Sequence, residues 1–96
     1  MRTLGPGVKV TDGALTQIVV RAAEGVEGVR VRKPRRTVDV AVTDGHAHVD
    51  LELAVAYGLV LPDVAQQVQA RVAEAVSRMC GLDVTAVDVS VEELDR

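Results

Sequence analysis

Two hydrophobic periods alternate along this chain, and the switches between them outline the fold. Leu15, Ile18, Val19, Ala22 and Val26 recur at helical spacing, with Gln17, Arg21 and Glu24 on the other side. Thr11 or Asp12 offers an N-cap, and Gly25 and Gly28 bracket the exit, where glycine turns the backbone cheaply. The period then drops to two. Val29 and Val31 alternate with Arg30 and Arg32, and Val38, Val40 and Val42 alternate with Asp39 and Ala41. Val49, Leu51, Leu53, Val55 and Tyr57 alternate with His48, Asp50, Glu52, Ala54 and Ala56. One apolar side per strand marks a half-buried sheet, and it places Tyr57 among the core residues.

A second helix follows Pro62, whose missing N–H is harmless in a first turn. Val64, Ala65, Val68, Val72, Val76 and Met79 form its apolar stripe. Gly81 closes it, Leu82 is placed to fold back on Val76, and Val87, Val89 and Val91 write a last strand. Asp44-Gly45 is a two-residue hairpin signal, since both central positions of the favoured turn need positive φ. It predicts Thr43 opposite His46, Val40 opposite Val49 and Val38 opposite Leu51, which puts every valine on one side. It also sets Asp39 against Asp50 and Thr37 against Glu52. The expected architecture is α+β: a two-layer sandwich with two helices on one face of a four-stranded mixed or antiparallel sheet, in the order β-α-β-β-β-α-β. The pattern divides the chain into a flexible N-terminus (1–7), with Val8 to Val10 as a short edge strand, a single domain (8–92) and a short polar tail (93–96). Whether the last strand inserts beside the third strand or beside the first stays open.

Composition sharpens this. In 96 residues there is no Phe or Trp and one Tyr, so Val, Leu and Ala fill a thin core, and association with copies or partners is expected to add stability. A net charge of −3 argues against nucleic acid as the main partner. No apolar run is long enough to span a membrane, no secretory signal is evident, and a lone cysteine suits a reducing cytoplasm.

The run from Val49 to Val91 resembles the alkaline shock protein family of bacterial envelope stress proteins. The matching residues are Val55, Tyr57-Gly58, Pro62, Ala65, the Gln69 to Val76 helix segment, Gly81-Leu82 and the strand Val87-Asp88-Val89-Ser90-Val91. Val8-Lys9-Val10 and Glu24-Gly25-Val26-Glu27-Gly28-Val29 add to the match. The resemblance implies a non-enzymatic, cytoplasmic envelope-stress protein that binds a membrane-anchored partner and self-assembles in some members, with no catalytic residues to carry over. The segment Arg32-Lys33-Pro34-Arg35-Arg36 stands where many members have a longer variable stretch.

Candidate chemistry is sparse. Arg30, Arg32, Lys33, Arg35 and Arg36 gather around Pro34 as an expected basic hairpin tip, either a solvated turn or a docking point for anionic lipid or an acidic partner. An RNA-binding module using this Arg30–Arg36 hairpin is the alternative function, weakened by the absence of stacking aromatics. Asp39 facing Asp50 is destabilising unless neutralised, and Arg30 and Arg32 would do so if the first strand lay beside the second. The uncovered face carrying Asp39, His48, Asp50 and Glu52 is the candidate interaction surface. His46, His48, Asp50 and Glu52 share that side at strand spacing, but nothing shields them, so no metal or cofactor is assigned. Cys80 reads as an inert thiol, since no base is expected near it.

Overall fold

The computed structural model describes residues 2–3, 9–10 and 12–93. Arg2–Thr3 (β1) pairs antiparallel with Lys9–Val10 (β2) as a separate two-stranded ribbon. Helix α1 (Asp12–Glu24) leads into β3 (Val29–Arg30), a single turn α2 (Pro34–Thr37), β4 (Val38–Thr43) and β5 (His46–Val55). Helix α3 (Leu61–Cys80) then crosses back to β6 (Asp83–Glu93). Val8, Thr11 and residues 94–96, to which the sequence assigns a strand start, a cap and a tail end, lie outside the described residues.

Strand β5 is the hub. Its hairpin with β4 has the expected register, with Val38 against Leu51, Asp39 against Asp50, Val40 against Val49 and Thr43 against His46. Asp44 and Gly45 take φ of 51° and 77°, as that turn requires. On its other edge β5 runs parallel to β6 along its whole length. This answers the open question of insertion: the 20-residue helix α3 supplies the long crossover that parallel neighbours need, and β6 lands beside β5.

The first of the expected meander strands is placed differently. Val29 faces Val55 and Arg30 faces Ala54, so β3 pairs with β5, not with β4. A strand has two edges, and β6 fills one of β5, so β3 and β4 share the other end to end. From Val29 to Val38, nine residues of chain advance only four positions along β5, and the remaining five bulge out. Lys33 at φ 46° and the α2 turn form this bulge. There is therefore no basic hairpin tip: Pro34 starts a helical turn and forbids continuation of the ladder. Thr37 also leaves the ladder, and its hydroxyl donates to the carbonyls of Arg32 and Lys33 instead of facing Glu52.

Helices α1 and α3 pack on each other and roof one side of the sheet. The core holds Leu15, Val19 and Ala23 from α1, Val26 just past its end, and Val64, Val68, Val72 and Val76 from α3. Beneath them lie Val38 and Val40 of β4, and Ala47, Val49, Leu51, Leu53 and Val55 of β5. Gly81 closes α3 at φ 66°, its N–H donating to Ser77, and Leu82 is buried in the same core. Two expected core residues are outside. Met79 is 73% exposed, because the stripe rotates away from the sheet after Val76. Tyr57 is 55% exposed, because β5 ends at Val55 and the alternation stops with it.

Gly28 joins the α1 exit to the loop after β5. Its φ is +83°, its carbonyl accepts from Ala56 N–H at 3.0 Å, and a Cβ there would meet Leu59 Cδ1 at 2.6 Å. Gly28→Ala thus combines backbone strain with a steric clash and should cost roughly 1–3 kcal/mol in urea unfolding. Gly13→Ala, helical with nothing within 4 Å of the added Cβ, should be neutral or stabilise by up to about 1 kcal/mol.

Candidate functional site

No described helix covers the second side of the sheet, and its polar residues come from the even positions of β5 and their register partners. His46, Asp50 and Glu52 are exposed, His48 is half-buried, and only Ala54 is covered, between its partners Arg30 and Glu92. Asp39 on β4, Asp50 on β5 and Asp88 on β6 stand in register, so three carboxylates cross the sheet in one row. Arg30 and Arg32 do not neutralise this row, since β3 pairs at the far end of β5. The side chain that contacts the row is His48: its Nε2 lies 2.7 Å from Asp88 Oδ2 and 3.5 Å from Asp50 Oδ1. His46 Nδ1 lies 3.3 Å from Asp83 Oδ2 at the end of the strand pair.

Asp88 reaches this side through a β-bulge. Before it, His46 faces Asp83 and Ala47 faces Val84; after it, His48 faces Ala86, with Thr85 as the extra residue. Continued without the bulge, the ladder would set Asp88 against Leu51 and turn it towards the core. The extra residue keeps both Val84 and Val87 against the core and sends Asp88 outward. Thr85 is pinned by its hydroxyl, which donates to the Ala47 carbonyl at 3.1 Å.

The other predicted residues do not join this cluster. Arg30 at the end of β3 and Arg32, Lys33, Arg35 and Arg36 on the bulge after it are all exposed, and none forms an ion pair with another described residue. Glu52 has Ser90 as its β6 partner. Cys80 ends α3 in the helical layer, and burial pushes its thiol pKa up. A groove of about 770 Å³ between α1 and β4, lined by Leu15, Val20, Pro34 and Val38 among others, contains no histidine or cysteine.

Strand β6 is the second feature of this side. Among the described residues its eleven positions pair on one edge only, and its valines 84, 87, 89 and 91 are each only partly buried. Gln69 of α3 reaches over it and donates to the Val87 carbonyl at 3.0 Å. Sequence reasoning could not say that β6 forms this edge, and it left Asp88 out of the site, because both depend on where the crossover delivers β6.

Comparison with known proteins agrees with the architecture. Several solved structures of MamM-CTD superimpose on this chain. A histidine-to-alanine variant is 22% identical with a TM-score of 0.62, covering 88% of this chain and 100% of that one. A copper form of an aspartate-to-histidine variant is 21% identical with a TM-score of 0.62 and the same coverage. A cadmium form of a histidine-to-aspartate variant is 24% identical with a TM-score of 0.60, covering 86% and 96%. At these identities the likeness concerns the fold. No curated protein matches the chain.

Two outcomes test the electrostatics. Asp39→Lys replaces a like-charge facing pair by an opposite one and should stabilise by about 0.2–1 kcal/mol in urea unfolding, less at high salt. The raised Cys80 pKa keeps the thiolate scarce at neutral pH, so alkylation by iodoacetamide should be slower than for free cysteine and rise only in alkaline buffer. Residues 3–96 match the model of the alkaline shock protein 23 family, described as having a cell envelope-related function, and the chain belongs to that family.

Proposed function

We propose that this chain is a non-enzymatic interaction domain of the cell envelope, held at the inner face of the membrane by a membrane-anchored protein partner and able to associate with itself. The observation that carries this reading is β6, an eleven-residue strand at the sheet edge with a row of half-covered valines. Unpaired strand edges are templates for another chain. Natural proteins blunt them with charged side chains, lysine above all, with proline, with β-bulges or with short length, and of these β6 carries the bulge at Thr85 and four acids. β6 has no Lys, Arg or Pro. The family's envelope-related description and the lack, among the described residues, of a helix long and apolar enough to cross a membrane support a peripheral position. The side carrying Asp39, His48, Asp50 and Glu52 adjoins this edge and supplies its polar rim.

The test combines light scattering with co-sedimentation on membrane vesicles from the source organism. The protein should self-associate with rising concentration and should sediment with native vesicles, but not with protease-treated or protein-free ones. Ser90→Lys with Glu92→Lys, both exposed on β6, should abolish association while leaving urea stability within about 0.5 kcal/mol. A monomer at every concentration that also ignores native vesicles would contradict the proposal. Binding that is lost on nuclease treatment and falls steeply with salt would transfer it to RNA.

A further inference from the structure

We infer that His48, Asp50 and Asp88 form a binding site for one divalent transition-metal cation of the zinc type on the uncovered side of the sheet. Their donor atoms, Nε2 and one carboxylate oxygen each, lie within 4.8 Å of one another, with His48 Nε2 at 2.7 Å from Asp88 and 3.5 Å from Asp50. Around a tetrahedral zinc with bonds of about 2.0–2.1 Å, neighbouring donors stand about 3.3 Å apart, inside the range spanned here. Side-chain rotations that close the widest donor pair from at most 4.8 Å to about 3.3 Å bring all three onto one ion. An imidazole nitrogen with two carboxylates suits zinc, cobalt, nickel or copper better than calcium or magnesium, which favour oxygen alone.

Three features separate this cluster from a chance gathering of surface acids. All three ligands stand on paired strands, two on the central strand at i and i+2 and one at a register position opposite Asp50, so the backbone holds their spacing. The bulge at Thr85 turns Asp88 to this side and so completes the set. The row Asp39–Asp50–Asp88 also sets like charges against each other twice across the ladder, and no described Lys or Arg pairs with any of the three. A dication bound to Asp50 and Asp88 removes that repulsion, while Asp39 adds attraction without ligating. In the metal-free protein the His48 ring lies against both carboxylates; on binding, Nε2 would turn its lone pair to the ion. The remaining coordination positions are open to water. The inference is independent of the association proposed above, since it uses a single copy of the chain.

The test is zinc titration by calorimetry and thermal unfolding at neutral pH, with cobalt substitution read by visible ligand-field absorption. One ion per chain should bind, and the Tm should rise with zinc concentration. His48→Ala and Asp88→Asn should each weaken binding by roughly tenfold or more. Metal-free Asp88→Asn should fold as the parent does, since relief of a facing like charge offsets the weakened contact with His48. His46→Ala and Cys80→Ser should bind as the parent does. The inference is overturned if no one-to-one binding occurs, if Asp88→Asn binds undiminished, or if His46→Ala or Cys80→Ser removes the signal.

Discussion

The alternation along β5 is the constraint on which everything else rests. Ala47, Val49, Leu51, Leu53 and Val55 are each under 4% exposed, while His46, Asp50 and Glu52 between them are exposed. β5 is also the only strand of the main sheet that pairs on both edges among the described residues. A slip of one residue would turn five apolar side chains to water and two histidines and two acids under the helices. Register is thus set jointly by the Asp44-Gly45 turn on one side and by the core under α1 and α3 on the other.

A core without large rings makes this constraint strict. Valines are stiff and short, so a position that loses its place cannot be filled by a neighbour bending into the gap. The same thinness leaves the edge valines of β6 half-covered, since the side chains that α3 buries are all valines. The outer strand β6, whose far edge is unpaired among the described residues, is the one best suited to receive another chain. Polar groups follow the same division: the described residues bury no charged side chain, and the titratable groups lie on the outer faces of the helices, on the bulge and on the uncovered side of the sheet.

Much of this was legible in the chain. Period two with period 3.6 predicted both long helices, the four strands of the main sheet and the hairpin register, down to Asp39 against Asp50. What escaped was set by contacts distant in sequence. Nothing local says that β3 pairs with the end of β5, so Arg32 to Arg36 read as a hairpin tip and proved to be a bulge. Nothing local says that α3 returns β6 to the free edge of β5, or that Thr85 is an extra residue, so Asp88 could not be joined to His48 and Asp50. Tyr57 and Met79 mislead for a simpler reason: a periodic pattern carries no mark of where its element leaves the core.

The most direct measurement is a pair of neighbouring substitutions on β5, Leu51→Lys and Glu52→Lys, compared by urea unfolding. Leu51→Lys buries an unpaired charge and should cost more than about 4 kcal/mol or prevent folding, while Glu52→Lys should change stability by less than about 0.5 kcal/mol. Comparable losses at both positions would mean that the second side of the sheet is also covered, and would contradict the account.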